Sequence, residues 1–488
     1  MEATLTYLKQ RANEDWLIGY DSRKFSQLSQ QLFLDLTQQA KGRIPLKIFI
    51  AEPDPVRFLA GFIAACAAGC HVFLCNPNWV EREWQQVFDL VQPDLILGQS
   101  ANPSLPLSPF SPFPFSPLSF RTQDGLSPGT LTALIMIPTG GSSGQIRFAI
   151  HTWETLMASV QGFHQYFGGK PINSFCVLPL YHVSGLMQFM RSFTTGGQMA
   201  ILPFKALTAG VGQHIDPKSF FISLVPTQLA QLLTADSSAW LSRFQSVLLG
   251  GAPAWPELLE QARRHNIPLA PTYGMTETAS QVVTLKPEAF LAGNNSCGQV
   301  LPHAQVTIRS STGEILGSNQ TGIITIQADS LALGYYPTNP KSDSLCASSP
   351  GEVQNLKSDD LGFFDEQGYL NIIGRRSNKI ITGGENVFPA EVEATIRATR
   401  LVSDVCVIGL PDQYWGQAVT AVYVPSFLEV SPASLKAAVE DKLSKFKCPK
   451  YWVMVNHLPR NAQGKVNYEQ LKTVATDSLV ACGRNSNG

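Results

Sequence analysis

Up to about Leu97 the chain alternates apolar runs of two lengths. Leu46–Ile50 and His71–Cys75 are short and of strand length, whereas Pro55–Ala68 is long enough for a helix and opens on a proline, which suits a first helical turn. Alternation of this kind predicts parallel strands covered by helices. The apolar run Phe58–Leu74 approaches bilayer length, but Gly61, Gly69 and His71 interrupt it, so it reads as a buried helix turning into a strand. Asn102–Pro117 is Pro, Ser and Phe with neither period, which predicts an extended surface connection. Strand-like Leu131–Ile137 then runs into Thr139-Gly140-Gly141-Ser142-Ser143-Gly144. Further strands are expected at Phe220–Val225 and Ser246–Leu249, a helix at Pro256–Arg264, and antiparallel strands with glycine turns from Val300 to Ile326. After Gly374-Arg375-Arg376-Ser377 the α/β alternation returns, with strands at Val405–Gly409 and Val419–Val424 and a helix near Ala433–Leu443. The expected architecture is α/β: a large N-terminal domain of α/β layers with a small β-rich subdomain (1–376), then a small mobile C-terminal α+β domain (377–488).

Composition narrows the function without naming it. With 488 residues the chain is too long for one growing core and can build a deep cleft between subdomains. Hydrophobic residues make up 44% and charged residues 15%, with 38 Gly and 33 Pro, the mark of a loop-rich globular protein. A formal net charge of −1 without a Lys/Arg stripe argues against nucleic acid as a partner. The nine cysteines are scattered, and Cys66, Cys70 and Cys75 lack a second pair to complete a tetrahedral site, so they read as reduced, mostly buried thiols. Met1-Glu2-Ala3 starts no basic, then apolar, secretory pattern, and the expectation is a cytoplasmic protein with no membrane span.

Five segments carry chemistry. Thr139, Gly140, Gly141, Ser142, Ser143 and Gly144 form a small-residue loop after a strand, able to aim N–H groups and hydroxyls at one anion. No Gly-Lys-Ser/Thr follows, so it is not a Walker loop; the plain alternative is a surface turn. Thr272-Tyr273-Gly274-Met275-Thr276-Glu277, downstream of Leu249-Gly250-Gly251-Ala252-Pro253, sets a hydroxyl beside a carboxylate, a pair that suits a phosphate and its magnesium ion or merely a helix start. The Asp359-Asp360 pair in Ser358–Gly362 could accept ribose hydroxyls or form a solvated turn. Gly383-Gly384-Glu385-Asn386 is the fourth segment. Gly464-Lys465 is the fifth, and lysines are ordinarily solvated.

Taken in order and spacing, the five resemble the adenylate-forming superfamily of acyl-CoA synthetases, adenylation domains and luciferases, over about Leu131 to Lys465. The resemblance implies an enzyme that joins a carboxylic acid to AMP at the expense of ATP, then passes the acyl group to a thiol, most simply coenzyme A. Thr139 to Gly144 would hold the β- and γ-phosphates. That loop ends in Pro and Lys in the family but in Ile146 and Arg147 here, and Arg147 keeps the charge with a bidentate fork. Gly251, Ala252 and Pro253 would line adenine, Tyr273 would stack on it with Gly274 next to it in the nucleotide-binding segment, Thr276 would meet the α-phosphate, and Glu277 would hold Mg²⁺. Asp360 and Arg375 would bind ribose; Asp359 stands where the family usually has Gly. Lys465 resembles the lysine that bridges carboxylate and phosphate oxygens. Ser377 matches the hinge, where many members have Asp, and Gly383, Gly384, Glu385 and Asn386 would form the thiol tunnel once the small domain has turned.

The acid is implied by a finer likeness. Pro179-Leu180-Tyr181-His182-Val183-Ser184-Gly185-Leu186, with Thr276 to Gln281, is similar to the o-succinylbenzoate–CoA ligases of menaquinone and phylloquinone biosynthesis. In that group an arginine nine residues past the histidine is thought to meet the spare carboxylate, and Arg191 stands there. A buried guanidinium is costly without an anion, which suits a dicarboxylate; Arg191 could instead pair with a protein carboxylate or reach solvent. His182 could gate the acyl pocket, hydrogen-bond the adenylate as a catalytic residue, or be a satisfied core histidine, and Ser280 and Gln281 are further candidates for contact with the aryl carboxylate or ketone. The rivals are a ligase for another acyl or aryl acid, a stand-alone adenylation enzyme serving a carrier protein, and, outside catalysis, a nucleotide-binding regulator on the same fold.

Overall fold

A computed structural model describes residues 2–40, 45–98, 133–140, 146–234, 237–337, 355–383, 385–460 and 465–481. The Asn102–Pro117 connection and the loop residues Gly141, Ser142, Ser143, Gly144 and Gly384 lie outside them. Among the described residues the first large sheet has six strands in the order Gly334–Tyr336, Ile146–His151, Ile135–Gly140, His71–Leu74, Lys47–Ala51 and Leu95–Gly98. Its last four strands run parallel, and the helix Pro55–Ala67 crosses between two of them. That helix starts because Asp54 accepts a hydrogen bond from the Arg57 N–H and Pro55 takes a position where its missing donor costs nothing. From Phe58 to Ala67 it is apolar on every face because it is buried on every face, and none of the described helices is long and apolar enough to cross a membrane.

The second large sheet has eight strands, ordered Leu17–Ile18, Met199–Ile201, Asn173–Cys176, Phe220–Leu224, Ser246–Leu249, Leu269–Met275, Ser280–Thr284 and Gln299–Val300. Its first six strands are parallel, Ser280–Thr284 runs against them, and Gln299–Val300, antiparallel to that strand, returns to the first direction. The switch falls at the Thr272–Gln281 segment: a bulge lies between Tyr273 and Gly274, and a Cβ on Gly274 would come within 2.2 Å of the Ser280 carbonyl oxygen. A helix, Val183–Thr195, packs between the two sheets and closes on Gly196 in the left-handed region (φ 80°). Its first turn presses on the preceding Pro179 carbonyl so closely that Gly185 has no room for a side chain.

A four-stranded antiparallel sheet follows, made of Ala304–Arg309, Gly322–Ala328, Leu356–Phe364 and Leu370–Arg375. The chain then passes through Arg376–Lys379 into a five-stranded sheet: Ile380–Thr382, Glu385–Val387, Val402–Asp412, Gly416–Pro425 and Tyr451–Met454. This last sheet has its own apolar clusters, one against the helices Pro389–Ala398 and Pro432–Glu440 and another under Tyr468–Ala481. The mixed α/β architecture expected from the alternation is present. Two local readings change. Thr139 and Gly140 do not open a loop but extend the strand, paired with Arg147 and Ile146. Ser358–Gly362 is not a turn but lies inside the strand Leu356–Phe364.

Candidate active site

The bulged switch strand and the four-stranded sheet bring three motifs together. Asp360 faces Arg375 in register across neighbouring strands, with Arg375 Nε 3.3 Å from Asp360 Oδ1. Tyr273 donates its hydroxyl to Asp360 Oδ2 at 2.9 Å and lies against Ser358 Oγ at 3.3 Å. Burial first, and the Asp360 charge second, push the Tyr273 hydroxyl well above its ordinary pKa, so it stays a donor. The Tyr273 ring packs into the core with Val282, Ile324 and Leu370; its hydroxyl fixes the carboxylate that faces the site. Gly251, Ala252 and Pro253 stand exposed just past the strand Ser246–Leu249, at the same end of the sheet.

Thr276 and Glu277 sit in a single turn, Thr276–Thr278, held from below by residues that no sequence motif marked. His151 Nε2 lies 2.8 Å from the Thr276 carbonyl oxygen and Nδ1 lies 3.0 Å from Thr155 Oγ1. A carbonyl only accepts, so Nε2 carries the proton, and burial pushes this histidine down to about 4, keeping it neutral. The Ala332 N–H donates to the Glu277 carbonyl at 2.8 Å. The Glu277 carboxylate, itself buried, accepts from the Tyr335 hydroxyl, and the Arg147 guanidinium lies 4.1 Å over the Tyr335 ring. Tyr335 therefore ties the cation beside the small-residue segment to the carboxylate of the second motif. Among the described residues no three His, Cys, Asp or Glu side chains gather as a metal cage. One buried carboxylate with an oxygen steadied by a tyrosine suits a magnesium ion that draws its other ligands from phosphate and water.

Lys465 reaches this site from the far end of the chain. It is exposed at the rim, where partial loss of hydration and the Arg375 charge lower its pKa from 10.5 against the opposing pull of Glu277 and Asp360. His182, the cap of the Val183–Thr195 helix, feels Lys465 as well: burial first and that positive charge second push it down to about 3, so it is neutral across the physiological range. Lys465 thus lies within reach of the charges of Arg375, Glu277 and Asp360, and His182 within reach of its own, although the five come from separate sheets and a helix.

Arg191 lies deeper. It is 3% exposed, its Nη2 donates to Ser280 Oγ at 2.7 Å and to Gln281 Oε1 at 2.9 Å, and its guanidinium stacks 4.0 Å from the Phe163 ring centroid. No carboxylate opposes its burial, which alone pushes it down to about 9, and its Nε has no partner among the described residues. A buried cation with neutral partners only is an anion site in waiting. Elsewhere, Asp359 turns the other way from Asp360 and accepts from the Ser377 N–H and hydroxyl, with Arg376 Nε at 3.8 Å. Gly383, Glu385 and Asn386 lie at a hairpin between Ile380–Thr382 and Glu385–Val387, beside Trp415.

Two family models cover this geometry, one described as AMP-binding enzyme over residues 40–336 and one as AMP-binding enzyme C-terminal domain over 391–465. The chain belongs to the AMP-binding enzyme family. Among relatives of this AMP-binding enzyme, the 2-succinylbenzoate–CoA ligase of Enterococcus faecalis is 32% identical over 366 residues, 74% of each chain. The ligase of the same name from Oceanobacillus iheyensis is 34% identical over 338 residues, 68% of each. The o-succinylbenzoate CoA synthetase of Bacillus subtilis, solved with its acyl-adenylate intermediate, shares the fold with a TM-score of 0.77 and 24% identity, covering 96% of this chain and 97% of that one. ATP-bound MatB of Rhodopseudomonas palustris does so with a TM-score of 0.77 at 21% identity, covering 97% and 99%.

Proposed function

We propose that this AMP-binding enzyme is an acid–thiol ligase that converts 2-succinylbenzoate, ATP and coenzyme A into the succinylbenzoyl-CoA thioester, AMP and pyrophosphate, a step toward menaquinone or phylloquinone. The observation that carries this reading is the convergence of Lys465 on Asp360, Arg375 and Glu277. In the first half-reaction a substrate carboxylate oxygen attacks the α-phosphorus and pyrophosphate leaves. Two anions must meet for this, and Lys465 would neutralise both as charge moves to the bridging oxygens. Asp360, steadied by Tyr273 and paired with Arg375, would hold the ribose hydroxyls. Thr276 would donate to the α-phosphate, and Arg147 with Thr139, Gly140, Gly141, Ser142, Ser143 and Gly144 would bind the β- and γ-phosphates. Glu277 would hold the magnesium ion, which screens the polyphosphate charge.

Arg191, with Ser280 and Gln281, would take the carboxylate that does not react, and the relatives' names supply the acid that fits. In the second half-reaction the thiol attacks the acyl carbon of the mixed anhydride and AMP departs. Gly383, Gly384, Glu385 and Asn386 would line the thiol's path, with 1–376 and 377–488 moving as separate domains about Ser377. The free, mostly buried cysteines among the described residues accord with a cytoplasmic site of action. A screen of carboxylic acids for acid-dependent exchange of pyrophosphate into ATP, then for thioester on adding coenzyme A, tests the reading. 2-Succinylbenzoate should be the best acid; ATP binding with no exchange for any acid would favour the regulator instead.

A further inference from the structure

Lys465 comes from the five-stranded sheet region, so something must register that region against the nucleotide site. The loop carrying Lys465 is pinned at its base: Arg460 bridges Val466, and the Asn467 N–H donates to the Pro459 carbonyl at 2.9 Å. Arg460 Nη2 reaches Asp404 Oδ2 at 2.6 Å. The other oxygen of the same carboxylate takes Arg397 Nη2 at 2.9 Å, and that nitrogen also donates to the Val405 carbonyl at 2.7 Å. Arg397, on the helix Pro389–Ala398, then lies 5.0 Å over the ring of Trp255. Trp255 belongs to the large part of the chain: it packs on the cluster under Leu249, Leu258 and Leu259 and caps the helix Pro256–Arg264 with its backbone alone.

We propose that the Trp255 ring is the seat for Arg397, and that Arg397, Asp404 and Arg460 form a charged strut that sets Lys465 over the nucleotide. This rests on the ligase reading for its chemistry. Trp255 is a positioning residue of the first half-reaction. That step brings a carboxylate against a polyphosphate and needs the lysine, whereas attack of a thiol on the finished anhydride does not join those anions. Asp404 serves both arginines at once, so the strut is rigid through hydrogen-bond geometry as well as charge. An arginine over an indole face is the strongest of the cation–π pairings, and Trp255 is half-buried, which limits its screening.

Trp255→Ala should lower the kcat of acid-dependent pyrophosphate exchange by about 3- to 30-fold with the KM for ATP unchanged. Thioester formation from supplied acyl-adenylate should proceed at the wild-type rate. Acylation of the Lys465 amine, mapped by mass spectrometry, should quicken by a similar factor. Trp255→Phe, which restores a ring face, should return most of the loss. If the alanine variant does not fold, Arg397→Lys, which keeps a charge over the ring but cannot hold Asp404 and Val405 with one planar fork, should move the same readouts the same way. Equal loss in both half-reactions with a raised KM for ATP, or no change in exchange and Lys465 labelling, overturns the strut. Faster labelling of Lys465 in the alanine variant of a protein whose wild type exchanges pyrophosphate with no acid would keep the strut and remove the ligase reading.

Discussion

Replacing Arg191 by methionine separates a binding group from a structural one. In the empty protein the guanidinium is a liability: burial holds it at about 9 instead of 12.5 with no carboxylate in opposition, a cost on the order of 5 kcal/mol. Methionine fills a similar volume without that cost. It also forfeits the stack on Phe163 and leaves Ser280 and Gln281 short of a donor, at about 1–3 kcal/mol for each. The terms offset, and the melting temperature of the ligand-free variant should stay within about 3 °C of wild type. Binding behaves differently, because the incoming carboxylate would lose its only buried cation. A loss of roughly 2–4 kcal/mol follows, or about 30- to 1000-fold in kcat/KM for 2-succinylbenzoate. The same acid without its ring carboxylate, 4-oxo-4-phenylbutanoate, should be used by variant and wild type alike within about threefold. A variant that melts many degrees lower, or that loses both acids equally, would mean that Arg191 holds the helix in place and does not read the substrate.

Four other outcomes follow from the site. Lys465→Ala should cut pyrophosphate exchange about 100- to 1000-fold while a supplied adenylate is still converted to thioester, as judged by chromatography; unchanged exchange would place the lysine outside the adenylation step. Tyr335→Phe removes the hydroxyl on Glu277 and should lower kcat/KM about 2- to 10-fold, with a higher magnesium concentration needed for half-maximal rate. An unchanged magnesium dependence would argue that Glu277 does not hold the ion. Lys465 works as a cation and its pKa is lowered, so kcat/KM should fall as pH rises through a limb below 10.5, and that limb should vanish in Lys465→Ala. His182, held near 3, has no proton to lose between pH 5 and 8, so His182→Gln should leave the shape of the profile in that range unchanged.

Gly251–Pro253 and Thr276–Glu277 were legible in the sequence because each follows a strand directly, where short-range chemistry decides the backbone. The residues that hold them were not. His151 acts on Thr276 from 125 residues away and Tyr335 on Glu277 from 58, and nothing in Ala149-Ile150-His151 or Gly334-Tyr335-Tyr336 distinguishes a support from a core side chain before the sheets are assembled. Both residues lie on adjacent antiparallel strands, Ile146–His151 and Gly334–Tyr336, whose pairing sets them beneath the switch turn. The acidic pair shows the same limit at shorter range. As a turn, Asp359 and Asp360 would share one task; as part of the strand Leu356–Phe364 they must point to opposite faces. Asp360 then meets Tyr273 and Arg375 at the nucleotide site, while Asp359 meets Ser377 where the chain leaves for the last sheet. A carboxylate at position 359 thus leaves Asp360 and its partners undisturbed, because the pleat sends it elsewhere. The hydroxyl at Ser377, where many members carry an aspartate, is what lets that carboxylate find a donor instead of a like charge.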